Sequence, residues 1–83
     1  MGKLLVKVYV PNLEKSYEVW IPAQRRIYNI IKLLVEAIND LNNNGYRLST
    51  FPMLYNKNTA EMYDLNAIVS ETTMKNGIEL ILI

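Results

Sequence analysis

Residues 16–41 read SYEVWIPAQRRIYNIIKLLVEAINDL, and a change of period inside this stretch decides the fold. From 16 to 21 the chain alternates, with Tyr17, Val19 and Ile21 on one side and Ser16, Glu18 and Trp20 on the other. Period two with β-branched and aromatic residues predicts a strand. Pro22 ends it, because proline has no N–H to give to a ladder. The period then becomes helical. Ile27, Ile30, Ile31, Leu34, Val35, Ile38 and Leu41 recur at spacings of three and four, one apolar stripe on a helix of about four turns. Lys32, Glu36, Asn39 and Asp40 form its polar face, and the Lys32–Glu36 pair adds only about 0.2–0.5 kcal/mol. No Ser, Thr, Asp or Asn stands near Gln24 and Arg25 to cap the start. Residues 42–45, Asn-Asn-Asn-Gly, are the expected stop, since both residue types tolerate φ > 0.

Upstream, residues 4–10 alternate as well. Leu4, Val6, Val8 and Val10 share one face; Leu5, Lys7 and Tyr9 share the other. Pro11-Asn12-Leu13-Glu14-Lys15 reads as the hairpin loop between the two strands. Downstream, residues 50–55 predict a third strand, with Pro52 marking an edge or a bulge. Asn56-Lys57-Asn58 is a turn, and residues 60–63 predict a short fourth strand. Residues 64–73 have no clean period, though Leu65, Ile68 and Val69 offer anchors to a core. After the Asn76-Gly77 turn, residues 78–83 close the chain as a strand, with Leu80 and Leu82 on one face and Glu79, Ile81 and Ile83 on the other. The order β-β-α-β-β-β has one helix to cover one face of one sheet, so the class is α+β. With the last strand beside the first and parallel to it, the arrangement is a β-grasp: a mixed sheet of four to five strands packed on one helix, as a single domain over residues 1–83. There is no internal repeat, low-complexity tract or linker.

The composition bounds the chemistry. Folding a chain of 83 residues removes only about 60–65% of its surface from water, and 51% hydrophobic residues compensate and exclude a disordered tail. There is no cysteine for a disulfide or thiolate site, and no histidine, the commonest general base and metal ligand. Nine basic against eight acidic residues give a net charge of +1, without the concentrated positive field that nucleic acid requires. Lys7 interrupts Leu4-Leu5-Val6 too early for a signal peptide or membrane helix. Gly2 lacks the Ser or Thr that myristoylation wants at position 6, where Val6 stands. The expected location is cytoplasmic, with no membrane insertion.

No catalytic constellation emerges. Glu36 and Asp40 lie one turn apart but on the solvent side of the helix, without the burial that separates the pKa values of an acid/base pair. Glu61 and Asp64 with Asn58 lack the ligand spacing and the glycine of a calcium loop. Ser16, Ser49 and Ser70 have no histidine to activate them, and Gly2, Gly45 and Gly77 make no phosphate-cradling loop. The expectation is a protein without enzymatic activity, cofactor or metal. Arg25-Arg26, with Lys32 further on, form a small basic spot that serves solubility or an acidic partner. The outer sheet face is more informative. If the helix covers Leu4, Val6, Val8, Val10, Tyr17, Val19, Ile21, Leu80 and Leu82, then Leu5, Tyr9, Trp20, Ile81 and Ile83 point outward, with no second helix to cover them. An apolar cluster of that kind marks an interface, for a protein partner or a second copy.

Two stretches carry a family resemblance. Val69-Ser70-Glu71, Met74, Asn76-Gly77 and Leu80-Ile81-Leu82-Ile83 resemble the ubiquitin-type pattern of a short helical turn, a further turn and a final strand. Tyr17-Glu18-Val19-Trp20-Ile21-Pro22-Ala23, followed by Ile27, Asn29, Ile30-Ile31 and Leu34, resembles the YukD/EsaB-like ubiquitin-like proteins of bacterial type VII secretion. The resemblance runs from Leu5 to Ile83 and rests on apolar positions and turns. It implies an accessory or regulatory role in secretion through protein–protein contact. It also implies use of the outer sheet face, where the hydrophobic positions of ubiquitin-like domains resemble Ile81 and Ile83. Conjugation and sulfur transfer need an extended Gly-Gly terminus. Here the sequence reaches the bulky Ile83 within the last strand, which speaks against a protein modifier or sulfur carrier. A free-standing β-grasp adaptor of an unrelated complex is the remaining alternative.

Overall fold

The computed structural model describes residues 2–41 and 51–83. Strands β1 (Lys3–Val10) and β2 (Lys15–Pro22) form an antiparallel hairpin, followed by helix α1 (Ile27–Leu41). Strand β3 (Leu54–Asn56), a 3-10 turn over Val69–Glu71 and strand β4 (Glu79–Leu82) complete the chain. The sheet order is β2-β1-β4-β3, with β4 parallel to β1 and antiparallel to β3. This is the β-grasp arrangement that the sequence predicts, with four strands. The core lies where the two periods meet: Val6, Val8, Val10, Ile21, Leu80 and Leu82 from the sheet pack under Ile27, Ile30, Ile31, Leu34 and Ile38 from the helix. Leu4, Tyr17, Val19 and Val35 pack at its margin. Leu41 ends the stripe 71% exposed, and the expected stop at 42–45 lies outside the described residues.

The helix start, with no capping side chain in sequence, is capped from a distance. The first N–H groups of a helix lack intrahelical partners. Here Ile27 N–H donates to the Ala67 carbonyl at 2.9 Å and Tyr28 N–H to the Leu65 carbonyl at 3.0 Å. The same segment is held in return, by Val69 N–H on the Arg25 carbonyl and Ser70 N–H on the Ala23 carbonyl. Residues 64–73 thus have order without period, because hydrogen bonds to the β2–α1 connection and the buried Val69 fix them.

Three expected boundaries change. The third strand, expected over 50–55, is Leu54–Asn56. Pro52 is buried ahead of it, Met53 exchanges both backbone hydrogen bonds with Ile83, and Thr50 lies outside the described residues. Asn56, expected in a turn, closes the strand. The fourth strand expected over 60–63 is a single Tyr55–Met62 bridge, because Ala60 sits at φ 65° and breaks the extended run. The hairpin loop is one residue shorter than expected, since Lys15 pairs with Val10. A left-handed non-glycine residue costs roughly 1–2 kcal/mol, part of which glycine returns through its greater unfolded-state entropy. Ala60→Gly is therefore expected to raise stability by about 0.5–1 kcal/mol in urea denaturation. A loss would mean that the Ala60 methyl makes contacts that outweigh its backbone strain.

Candidate functional site

The register sets out the sheet face turned away from the helix strand by strand. On β2 it carries Ser16, Glu18 and Trp20; on β1, Leu5, Lys7 and Tyr9; on β4, Glu79 and Ile81; on β3, Tyr55. Every residue expected to point outward does so. Trp20 is 58% and Ile83 49% exposed, while Leu5, Tyr9 and Ile81 are half-buried by their neighbours.

These residues do not form one cluster. Trp20 stands opposite Leu5 near one end of the sheet. Ile81 stands between Tyr9 and Tyr55 near the other end, beside Ile83. Between the two groups runs a row of alternating charge, Glu18 on β2, Lys7 on β1 and Glu79 on β4, each directly opposite the next. Opposite charges at facing positions favour the sheet by a few tenths of a kcal/mol each. They also keep the two apolar groups from merging into one continuous patch.

The larger group borders an open hollow of about 330 Å³ lined by Pro11, Tyr55, Asn56, Lys57, Ala60, Ile81 and Ile83. The Lys57 ammonium stands 5.6 Å from the Tyr9 ring centroid, a cation–π distance that holds one positive charge at its rim. Sequence reading missed Tyr55, Lys57 and Pro11 here, because Pro52 obscured the phase of the strand that carries Tyr55. The floor is rigid. Asn56 Oδ1 accepts from Asn58 N–H at 2.8 Å and Thr59 N–H at 3.2 Å, and its Nδ2 donates to the Tyr63 hydroxyl at 3.2 Å. Asn56 and Tyr63 are both buried. Asn56→Ala strips the buried Tyr63 hydroxyl of that donor and opens the turn. The expected loss is about 2 kcal/mol in chemical denaturation, and a loss below about 0.5 kcal/mol would mean that water replaces these bonds.

Arg25 and Arg26 are exposed in the β2–α1 connection and are not part of the outer face. Arg26 Nη1 donates to the Asn66 carbonyl, so one of the two guanidinium groups also ties the connection to the capping segment. A second hollow, of about 260 Å³, lies on the helix beside Tyr28, Lys32, Val35, Glu36 and Phe51. Among the described residues, no three or more His, Cys, Asp or Glu side chains gather where they could hold a metal ion. No helix among them is long and apolar enough to cross a membrane.

No protein-family model matches the sequence, and no curated protein is significantly similar to it. The fold has clear relatives among solved structures. A chain of the toluene 4-monooxygenase complex with 4-bromobenzoate superposes with a TM-score of 0.80 at 6% identity, over 98% of this chain and 96% of that one. The ubiquitin-like domain of the Mycobacterium tuberculosis type VII secretion protein EccD1 superposes with a TM-score of 0.76 at 12% identity, over 100% and 99%. A chain of the ESX-5 inner membrane complex gives 0.77 at 12% identity, over 99% of this chain and 21% of that much longer one. At such identities the likeness is one of fold, and the fold is that of the ubiquitin-like β-grasp.

Proposed function

We propose that residues 1–83 form a single ubiquitin-like domain without enzymatic activity, which works by protein–protein contact as an accessory or regulatory component of a bacterial type VII secretion system. The observation that carries this reading is the end-to-end superposition on the EccD1 ubiquitin-like domain. The YukD/EsaB-like pattern at Tyr17–Ala23 and along the helix supports the same assignment and a cytoplasmic location. Leu5, Tyr9, Trp20, Ile81 and Ile83 provide the contact, with Tyr55 and Lys57 added at the hollow. The partner is a component of the secretion machinery. The chemistry fits a contact role: exposed aromatic and aliphatic anchors suit an interface.

A second reading, a small β-grasp adaptor in an unrelated complex, is favoured by the superposition on a chain of the toluene 4-monooxygenase complex. Non-denaturing purification of the tagged full-length chain from the cells that encode it, with mass spectrometry of what accompanies it, separates the two. Recovery of the secretion ATPase or membrane components of a type VII system is the expected result. Recovery of a different complex sinks the secretion assignment and leaves the contact role standing.

A further inference from the structure

We propose that the free edge of β2 accepts an extended segment of another protein as a fifth strand, one that sets a Lys or Arg opposite Glu18 and β-branched residues on either side of it. The inference rests on where backbone groups point and does not depend on which machine the protein serves.

The two edges of the sheet differ. At β3 the outward groups are used: Asn56 N–H donates to the Glu61 carbonyl and Tyr63 N–H to the Leu54 carbonyl, so the following segment covers that edge. At the other side, Lys7 N–H donates to the Ile78 carbonyl and Gly77 N–H to the Leu5 carbonyl. The odd residues of β1 therefore face β4. Its even residues face β2, where they meet Lys15, Tyr17, Val19 and Ile21. Ser16, Glu18 and Trp20 turn their N–H and C=O groups away from the sheet, and among the described residues nothing bonds to them. Natural sheets cover or break long open edges. Here Pro22, with no N–H, and the charges of Lys15 and Glu18 limit the edge, leaving three donors in a row.

Charge decides the occupant. Glu18 ends the alternating row Glu79, Lys7, Glu18, and a basic residue on an added strand continues the alternation. A second copy does not fit. Two-fold pairing of β2 with itself sets Glu18 against Glu18, and like charges directly opposite are unfavourable. Slipping the register by one hydrogen-bonded pair sets Trp20 against Glu14, which is in the turn at φ 54°, or Ser16 against Pro22. On the inner side the added strand meets half-buried Tyr17 and Val19. On α1, Leu33, 44% exposed, lies on the flank opposite the one where Tyr28 stacks on Phe51. That apolar flank asks for β-branched residues next to the basic one.

The probe is a capped peptide, Thr-Val-Lys-Val-Thr, titrated into the isotope-labelled full-length chain and followed by NMR. The expected result is slowed amide exchange at Ser16, Glu18 and Trp20, with shifts confined to β2 and the Leu33 flank. A peptide with Glu at the centre is expected to bind about tenfold more weakly, and Glu18→Lys to invert the preference. Ser16→Pro removes one outward N–H without touching the ladder to β1 and is expected to weaken both peptides, with circular dichroism confirming the fold. Equal affinity for the two peptides overturns the proposal, as does an absence of shifts at millimolar peptide. Shifts centred on Tyr9, Tyr55 and Ile81 overturn it too, while supporting the outer face as the contact surface. A concentration-dependent dimer with protected β2 amides and no peptide assigns the edge to a second copy and overturns the stated occupant.

Discussion

Leu80→Ala is expected to remove about 3–4 kcal/mol of stability, within the range for deleting a fully buried leucine and leaving a cavity. Leu80 is fully buried on β4, one of the two central strands. It stands opposite Val8 on one side and Asn56 on the other, in the layer beneath the helix. A domain of this length holds a total of roughly 4–12 kcal/mol, so this one change removes a large share of it. Thermal unfolding is expected to fall by about 15–30 °C. The neighbouring change, Ile81→Ala, acts on a half-buried side chain on the opposite face and is expected to cost at most about 1.5 kcal/mol. Denaturation curves of the two variants check the phase of β4 directly. Equal losses would mean that the two faces of that strand are assigned wrongly.

Trp20→Lys and Ile81→Lys are expected to keep the fold and to lose capture of the partner, each by about 30-fold or more, as truncation of an aromatic or aliphatic anchor at an interface does. Trp20 is exposed and Ile81 lies outside the core, so a charged replacement at either reaches water. The split of the face by Glu18, Lys7 and Glu79 sharpens the expectation. The two anchors belong to different apolar groups, so a partner that spans the sheet responds to both, and a loss through Ile81→Lys alone would take Trp20 out of the contact. If both variants bind at full strength, or both unfold, the outer face is not the contact surface.

Much of this molecule was legible before its structure. The alternation over Leu4–Val10 and Ser16–Ile21 specified two strands and their buried sides, and Val6, Val8, Val10 and Ile21 are buried as that phase requires. The three-four spacing from Ile27 to Ile38 specified the helix and its core face. Leu80 and Leu82 lie inward, Ile81 and Ile83 outward. These features depend on periodicity, and periodicity follows from backbone geometry that each segment carries within itself.

The rest depended on contacts between segments distant in sequence. The helix start showed no cap because its partners are carbonyls of Leu65 and Ala67, supplied from across the molecule. The third strand shrank to Leu54–Asn56 because Pro52 stands ahead of it and the turn after Asn56 ends it. The outward residues of three strands could be named, but whether they touch depends on register. Register set Glu18, Lys7 and Glu79 in one row and divided the apolar face in two. It also left the amides of Ser16, Glu18 and Trp20 without partners among the described residues at one edge while closing the other. The sequence by itself determined which elements form and which way each one faces, because those choices are local. Only the tertiary structure decided which side chains become neighbours and which backbone groups stay free, because both are set by pairing between strands.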